Sequence, residues 1–395
     1  MEDEKHYFQI KGKNAETFVH NLAEKTFLVD WCYPNPKLSS GNELCDLLVI
    51  FDSVAIIWQI KDLKLDKNGK YKKSDVDKNL RQLSGAKRQL FGLKTSIELS
   101  NKRRKETFDP GQIKEIFLIS VLMGDGEDYY SVLKKDKDQN IHVFTRDFTQ
   151  TVLNELDTVS DFCDYLRAKE EFFNGEKRSI IVTGGEENLL AVYIREGHSF
   201  DKFKSANNIF IDGGAWEALL KEPRFIKKKE EDRISYGWDG IINWTHEGSE
   251  KYELVARELA RSNRFERRSL SKALMDARIL AHEEKSGANL FRRITITNGV
   301  TYCFLLMDDP EPRERRRVML SMICYFARGK VLQNKKVIGI ATEKIFRPTC
   351  SYDLVLIDMP EWTKENQEMA TKIQEDTGMF LNAVVTETSD DEFPA

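Results

Sequence analysis

The chain has 395 residues, of which 41% are hydrophobic and 32% charged, enough for more than one hydrophobic core. No stretch approaches the roughly 20 apolar residues that span a bilayer, and the acidic opening MEDEKHYFQIKG lacks the order of a signal peptide. We therefore expect a cytoplasmic protein that makes no contact with a membrane. The net charge of −4 hides a basic block, because residues 61–105 carry fifteen lysines and arginines against five acidic residues. Such a block is typical of a surface that binds polyanions, although a solvated helix face with a loop has the same composition.

Cysteine and histidine patterns argue against zinc chemistry. The six cysteines form no C-x-x-C pair and the six histidines form no H-x-x-x-H pair. We expect each cysteine to be a small buried residue in a reducing compartment.

The first predicted elements form one α/β domain over residues 1–146. Residues 14–26 have the apolar spacing of a short helix. Two apolar runs, 44–51 and 54–60, are separated only by Asp52-Ser53 and predict a tight hairpin of buried strands. A helix over residues 75–98, with apolar positions from Val76 to Leu93, precedes strands at 115–123 and 141–144.

The predicted secondary structure of the remaining chain divides it into two further regions. Residues 147–173 predict a helix, 179–183 a short strand, and 186–285 a mostly helical region, so that 147–290 forms a helical middle region. Two strands within 293–308 are joined at Asn298-Gly299, a strong hairpin signal. A helix at 311–328, strands at 336–341 and 352–358, and a helix at 361–377 complete a small α/β region, 291–395, of unknown role. The chain closes on an acidic stretch, ETSDDEFPA.

One group of polar residues sits inside the buried hairpin. Asp46 lies near the start of its first strand, and Gln59 and Lys61 lie on one face of its second, because side chains alternate along a strand. The hairpin brings the three together at its open end. A buried lysine and amide need partners there, since an unpaired buried charge is costly. Asp46 supplies one partner. A Mg²⁺ or Mn²⁺ ion bound by Asp46, the Gln59 side-chain oxygen and a backbone carbonyl supplies another.

These residues resemble the active site of the PD-(D/E)XK nuclease superfamily, in the Q-x-K form of Mrr-like restriction endonucleases. The resemblance covers about residues 10–145 and implies a restriction-endonuclease-like mixed sheet flanked by helices. It implies that Asp46 is the strand acid, that Gln59 replaces the usual Asp or Glu, and that Lys61 is the catalytic lysine. Two departures are the missing proline before Asp46 and the neutral Gln59, which lowers the expected affinity for metal.

The resemblance also implies further site residues. Such folds carry an acid on the preceding helix, for which Glu16 is preferred over Glu24, and Glu43 is an alternative second acid. A later helix often presents a glutamine to the site, and Gln82 is the candidate. Expected phosphate contacts lie on the basic helix and the loop that follows it: Lys78, Arg81, Lys87, Arg88, Lys102, Arg103 and Arg104.

These expectations amount to a metal-dependent endonuclease that hydrolyses nucleic acid, with DNA favoured over RNA. By analogy alone, a small nuclease joined to a larger region resembles a bacterial restriction or antiviral defence effector. We expect the α/β N-terminal domain to cut and residues 147–395 to control it, as a homodimer or through a partner protein. The alternative is a protein that keeps the fold and binds nucleic acid without cleaving it.

Overall fold

The computed structural model describes residues 2–38, 40–63, 65–92, 96–124, 132–136, 139–174, 179–248, 252–283, 290–308, 313–345, 347 and 350–394, with side chains left out at 2–11, 247–248 and 290. The chain is mixed α/β. It divides into two compact units, Met1–Phe225 and Ile226–Ala395. In the ranges just given, no helix combines the length and the apolar character needed to cross a bilayer.

The first unit contains the predicted hairpin and most of the short strands. Its elements in chain order are α1 (Glu2–Phe27), β1 (Cys32–Pro34), β2 (Leu47–Phe51), β3 (Val54–Lys61), α2 (Lys73–Gly92), β4 (Ile97–Ser100), β5 (Lys105–Phe108), β6 (Glu115–Leu122), β7 (Leu133–Asp136), β8 (Gln139–Thr145), α3 (Arg146–Glu155), α4 (Val159–Asn174), β9 (Ser179–Val182), α5 (Glu187–Arg195), β10 (Asn208–Ile211) and α6 (Ala215–Leu219). Helix α7 (Pro223–Asp232) follows across the division between the units.

A six-stranded mixed sheet forms the centre of this unit, with strand order β1-β2-β3-β6-β8-β7. Strands β2 and β3 are antiparallel, whereas β3, β6 and β8 run parallel to one another. Parallel neighbours need a crossover connection, and α2 provides it between β3 and β6. The hairpin turns at Asp52, whose φ of 52° is a left-handed conformation that aspartate tolerates better than most residues.

Helices cover both faces of the sheet. On one face, α2 buries Leu83 and Leu90 against Ile57 and Leu118 of the strands. On the other face, Trp58 stacks on Phe162 of α4 with ring centroids 5.8 Å apart and also contacts Phe27 of α1. Aromatic rings bury about 150–250 Å² each, so this cluster accounts for much of the apolar burial on that face.

The predicted hairpin, basic helix and strands of the first unit are found, but two of the predicted helices differ in their extent. The helix expected to run to residue 98 ends at Gly92, and residues 97–108 form the hairpin β4–β5 instead. Leu93 lies outside the described residues. The helix expected over 147–173 is divided into α3 and α4, because Thr158 accepts a hydrogen bond from the Asp161 amide and so caps a second helix.

The division between the units also differs from the expected boundaries at 146/147 and 290/291. Helices α3 and α4 belong to the first unit because they pack on its sheet. The Thr26 hydroxyl of α1 donates to the Leu153 carbonyl of α3 at 2.9 Å, next to the Trp58–Phe162 stack. A helical pattern alone does not reveal which sheet a helix will cover.

The second unit carries a smaller sheet. Its elements are α8 (Tyr236–Gly248), α9 (Glu253–Ala260), α10 (Arg264–Glu283), β11 (Leu290–Thr297), β12 (Val300–Met307), α11 (Arg313–Lys330), β13 (Lys336–Glu343), β14 (Asp353–Asp358) and α12 (Lys364–Thr377). The four strands lie in chain order, with β12 and β13 parallel. The predicted Asn298-Gly299 turn is present, and both residues have the positive φ of a tight hairpin turn. Residues 311–312 of the predicted helix lie outside the described part of the chain.

Candidate metal and nucleic-acid site

The register of the hairpin places Asp46, Gln59 and Lys61 at its open end. Leu47 pairs with Trp58, so Asp46 lies opposite Gln59, and the Asp46 amide donates to the Trp58 carbonyl at 3.2 Å. Ile57 packs against α2, and alternation along β3 puts Gln59 and Lys61 on that same face of the sheet. Asp46 and Gln59 are both buried.

Three donors converge on one oxygen of the Asp46 carboxylate. Gln59 Nε2 donates to Asp46 Oδ2 at 2.6 Å, and the Ile60 amide donates to the same atom. Lys61 Nζ lies 3.8 Å from it as an ion pair, with about a third of the lysine side chain exposed. The expected meeting of an acid, an amide and an ammonium group is therefore present, and Lys61 remains open to solvent at one side.

The positive charge near Asp46 is too small to offset the burial of its carboxylate. Burial raises its pKa from the ordinary 3.8 to about 7, although Lys61 and the Ile60 amide act in the opposite direction. The charges of Glu16 and Glu43 raise this pKa further. A cation beside Asp46 would stabilise the ionised form, because it offsets both the burial and the two neighbouring negative charges.

The candidate acids fall into two groups. Glu16 on α1 and the exposed Glu43 are close enough to act on the charge of Asp46. Glu24 is instead paired with Lys102 at 2.6 Å, which fits the preference for Glu16.

A histidine that the sequence reasoning missed lies between the two helix acids. His20 Nε2 lies 2.9 Å from the Asp46 carbonyl oxygen, and the charges of Glu16 and Glu24 act on it. Burial lowers the pKa of His20, so the neutral ring that donates to this carbonyl is favoured. Glu16, His20 and Glu24 are spaced four residues apart and therefore lie on one helix face, and this spacing was the signal in the sequence that could have identified His20.

Helix α2 presents Asn79 to the sheet, not Gln82. The side chain of Gln82 is exposed, whereas Asn79 is buried and donates from Nδ2 to Ser120 Oγ at 2.7 Å. Ser120 pairs with Gln59 in the register of β3 and β6. Asn79 Oδ1 has no hydrogen-bond partner among the described atoms. The buried stripe of α2 runs through Val76, Asn79 and Leu83, so Asn79 reaches the sheet, and a role for the exposed Gln82 at the site stays a prediction.

The basic residues expected to contact phosphate are not equivalent. On α2, Lys78, Arg81 and Arg88 are exposed, and Lys87 is half-buried. The loop residues turn back onto the protein, since Arg103 pairs with Asp30 at 2.8 Å, Arg104 with Glu106 at 3.6 Å, and Lys102 with Glu24. Glu106 lies only two residues from Arg104, but Asp30 and Glu24 lie more than 70 residues away in sequence, so the charge pattern of the loop alone could not show that they neutralise it.

The site fits a divalent cation through the type of ligand atoms it offers, which are side-chain oxygens. Among the described residues, no three His, Cys, Asp or Glu side chains are grouped closely enough to hold a metal ion. Asp46 and the Gln59 amide remain as an adjacent oxygen-donor pair, since a half-turn of the amide would direct its oxygen at the carboxylate in place of its nitrogen. Mg²⁺ is commonly bound by one or two carboxylates and retains several waters, which suits so small a donor set.

Comparison with known proteins adds no further assignment. No family model matches the chain. No curated protein and no solved structure shows significant similarity to it either.

Proposed function

We propose that the first unit is a metal-dependent nuclease that hydrolyses phosphodiester bonds of nucleic acid, with DNA favoured as substrate. The observation that carries the proposal is the buried Asp46 carboxylate, which faces Gln59 and Lys61 at the open end of the hairpin. A buried carboxyl with a raised pKa, beside a lysine that is about a third exposed, is an arrangement that is enriched at functional sites.

Each residue has a distinct task in this proposal. Asp46 and the Gln59 amide oxygen would hold Mg²⁺ or Mn²⁺, and the ion, when bound, would lower the pKa of water and neutralise charge on the phosphoryl group. Lys61 orients the attacking water and offsets the charge that develops as the P–O bond breaks. The Ile60 amide fixes one oxygen of Asp46, so the carboxylate keeps its orientation while the other oxygen stays available.

Exposed cations on α2 support nucleic acid as the substrate. Lys78, Arg81 and Arg88 have no acidic partner within ion-pair distance in the part of the chain that the structure describes. Free lysines and arginines on one helix provide affinity for phosphates irrespective of sequence. Lys78 neighbours Asn79, and Asn79 is bonded to Ser120, which pairs with Gln59 of the site.

Cleavage of plasmid DNA and of RNA in Mg²⁺ or Mn²⁺ tests the proposal. The protein should cut at least one substrate, and Lys61→Ala should lose about 100-fold or more in rate, as is typical when a group that stabilises transition-state charge is removed. Lys25→Ala, an exposed lysine on α1, is the matched control and should cut normally. Equal cleavage by the Lys61 and Lys25 variants would contradict the assignment.

A second function is favoured by one specific observation. Gln59 stands where an acid would add a metal ligand, and no three acidic, cysteine or histidine side chains are grouped among the described residues. These features suit a protein that binds nucleic acid without cutting it. Retained binding by the protein and by Lys61→Ala, without cleavage in either metal, would select this alternative.

A further inference from the structure

An acidic segment of the second unit, Asp390–Phe393, lies against a buried arginine. Arg268 Nη2 donates to the Asp391 carbonyl oxygen at 2.7 Å, and both Nη atoms lie 3.3 Å from the Glu392 carbonyl oxygen. Arg268 is completely buried and is also paired with Asp232 at 3.1 Å. Its guanidinium therefore contacts the main chain of the segment, not its carboxylates.

Two lysines contact the side chains of the same segment. Lys228 on α7 lies 3.5 Å from Glu392 and 5.8 Å from the centre of the Phe393 ring. Lys272 on α10 lies 3.8 Å from Asp390, which also accepts a hydrogen bond from the Ser269 hydroxyl at 2.9 Å. We call the site formed by Lys228, Arg268 and Lys272 the basic cleft.

The segment is attached through an exposed connection. Residues 381–390 have no helix or strand and are all exposed, with Val384 at 88% and Val385 at 89%. A stretch with so little burial opens at low cost in free energy. The basic cleft, by contrast, is built into α7 and α10, so the cleft remains in place when the segment leaves it.

Departure of the segment would leave the basic cleft unsatisfied. The acids of α7 that stay beside the three cations are Glu231, next to Lys272, and Asp232, next to Lys228 and Arg268. Arg268 would also lose its three hydrogen bonds to carbonyl oxygens, and its Nε already has no partner among the described atoms. Buried donors without acceptors are costly in free energy. The empty cleft therefore has affinity for any chain that again supplies carbonyl acceptors to Arg268 and acidic side chains to the lysines.

We infer that the basic cleft is a binding site for an acidic peptide segment of a partner protein, and that Asp390–Phe393 occupies it as a reversible intramolecular ligand. The ligand is a peptide because Arg268 contacts the main-chain carbonyl oxygens of two consecutive residues, a spacing set by a polypeptide backbone. Its acidic residues match Lys228 and Lys272, and its aromatic residue lies beside Lys228. A partner that carries such a segment binds by displacing the resident one.

Fluorescence anisotropy with a labelled peptide of residues 386–395, TETSDDEFPA, tests this inference on the full chain. A chain with Glu392→Lys and Phe393→Ser, whose own segment no longer fits, should bind the peptide. The unaltered chain should bind about tenfold more weakly or worse, because its own segment competes at a local concentration on the order of millimolar. Equal affinity of the two chains, or absence of binding to both, overturns the inference.

Matched variants identify the recognised chemistry. In the altered chain, Lys272→Glu should weaken peptide binding about tenfold, as loss of a charged contact does, whereas Lys372→Glu on the exposed face of α12 should not. A peptide with asparagine in place of Asp390 and Asp391 and glutamine in place of Glu392 should bind weakly. A single-stranded oligonucleotide that displaces the labelled peptide at equal concentration would overturn the peptide assignment and indicate a general polyanion site.

Discussion

Replacement of Asp46 by asparagine removes a carboxyl that is buried in the folded chain, and the effect on stability depends on pH. The pKa of Asp46 is about 7 in the folded protein against an ordinary 3.8, chiefly because of burial. The folded state therefore binds this proton more tightly than the unfolded state does. Stability that the protonated carboxyl contributes is present at low pH and is lost as the pH rises from about 4 to about 7.

The magnitude follows from the difference in pKa. A difference of about three between the folded and unfolded values, with the opposing effect of Lys61 already included, corresponds to at most about 4 kcal/mol. The asparagine variant keeps an acceptor for the Ile60 amide, and the Gln59 amide can rotate to accept from the new donor. As the pH rises from 4 to 8, the free energy of unfolding of the variant should therefore increase by up to about 4 kcal/mol relative to that of the unaltered protein.

Amide hydrogen exchange of β2 and β3, corrected for the intrinsic effect of pH, measures this change in the hairpin itself. Protection in the unaltered protein should decline with rising pH relative to Asp46→Asn. Mg²⁺ at pH 8 should restore protection in the unaltered protein alone, since only the carboxylate binds it. An identical pH dependence in both proteins would refute the reasoning about burial and charge.

Three further predictions concern other parts of the chain. Lys78→Glu should weaken DNA binding and lower the slope of log affinity against log salt by about one, as measured by salt titrations. Glu186→Gln leaves the buried Lys169 without its anionic partner and should cost about 3–5 kcal/mol in thermal or chemical denaturation. Gly339→Ala would place a methyl group against Cys324 Sγ and should destabilise the second unit by about 1–3 kcal/mol, seen in the same assays.

The centre of the candidate site was predictable because it depends on short-range geometry. Alternation along one strand and a two-residue turn are enough to bring Asp46, Gln59 and Lys61 together. The hairpin at Asn298-Gly299 was predictable for the same reason, since both residues tolerate positive φ.

The rest of the site depends on contacts between distant segments. His20 is defined by its approach to the Asp46 carbonyl, 26 residues away, and Asn79 by its bond to Ser120, 41 residues away. The sequence predicted that the loop arginines contact phosphate, whereas in the folded chain Arg103 is paired with Asp30. Local periodicity contains no information about such pairs, which form only when helices and hairpins pack on the sheet.

The location of Mn²⁺ by anomalous diffraction from metal-soaked crystals tests the central claim most directly. The account predicts one peak shared by the Asp46 carboxylate and the Gln59 amide oxygen, absent from crystals of Asp46→Asn. Strong peaks at other acidic residues, with none at Asp46 under saturating Mn²⁺, would contradict it.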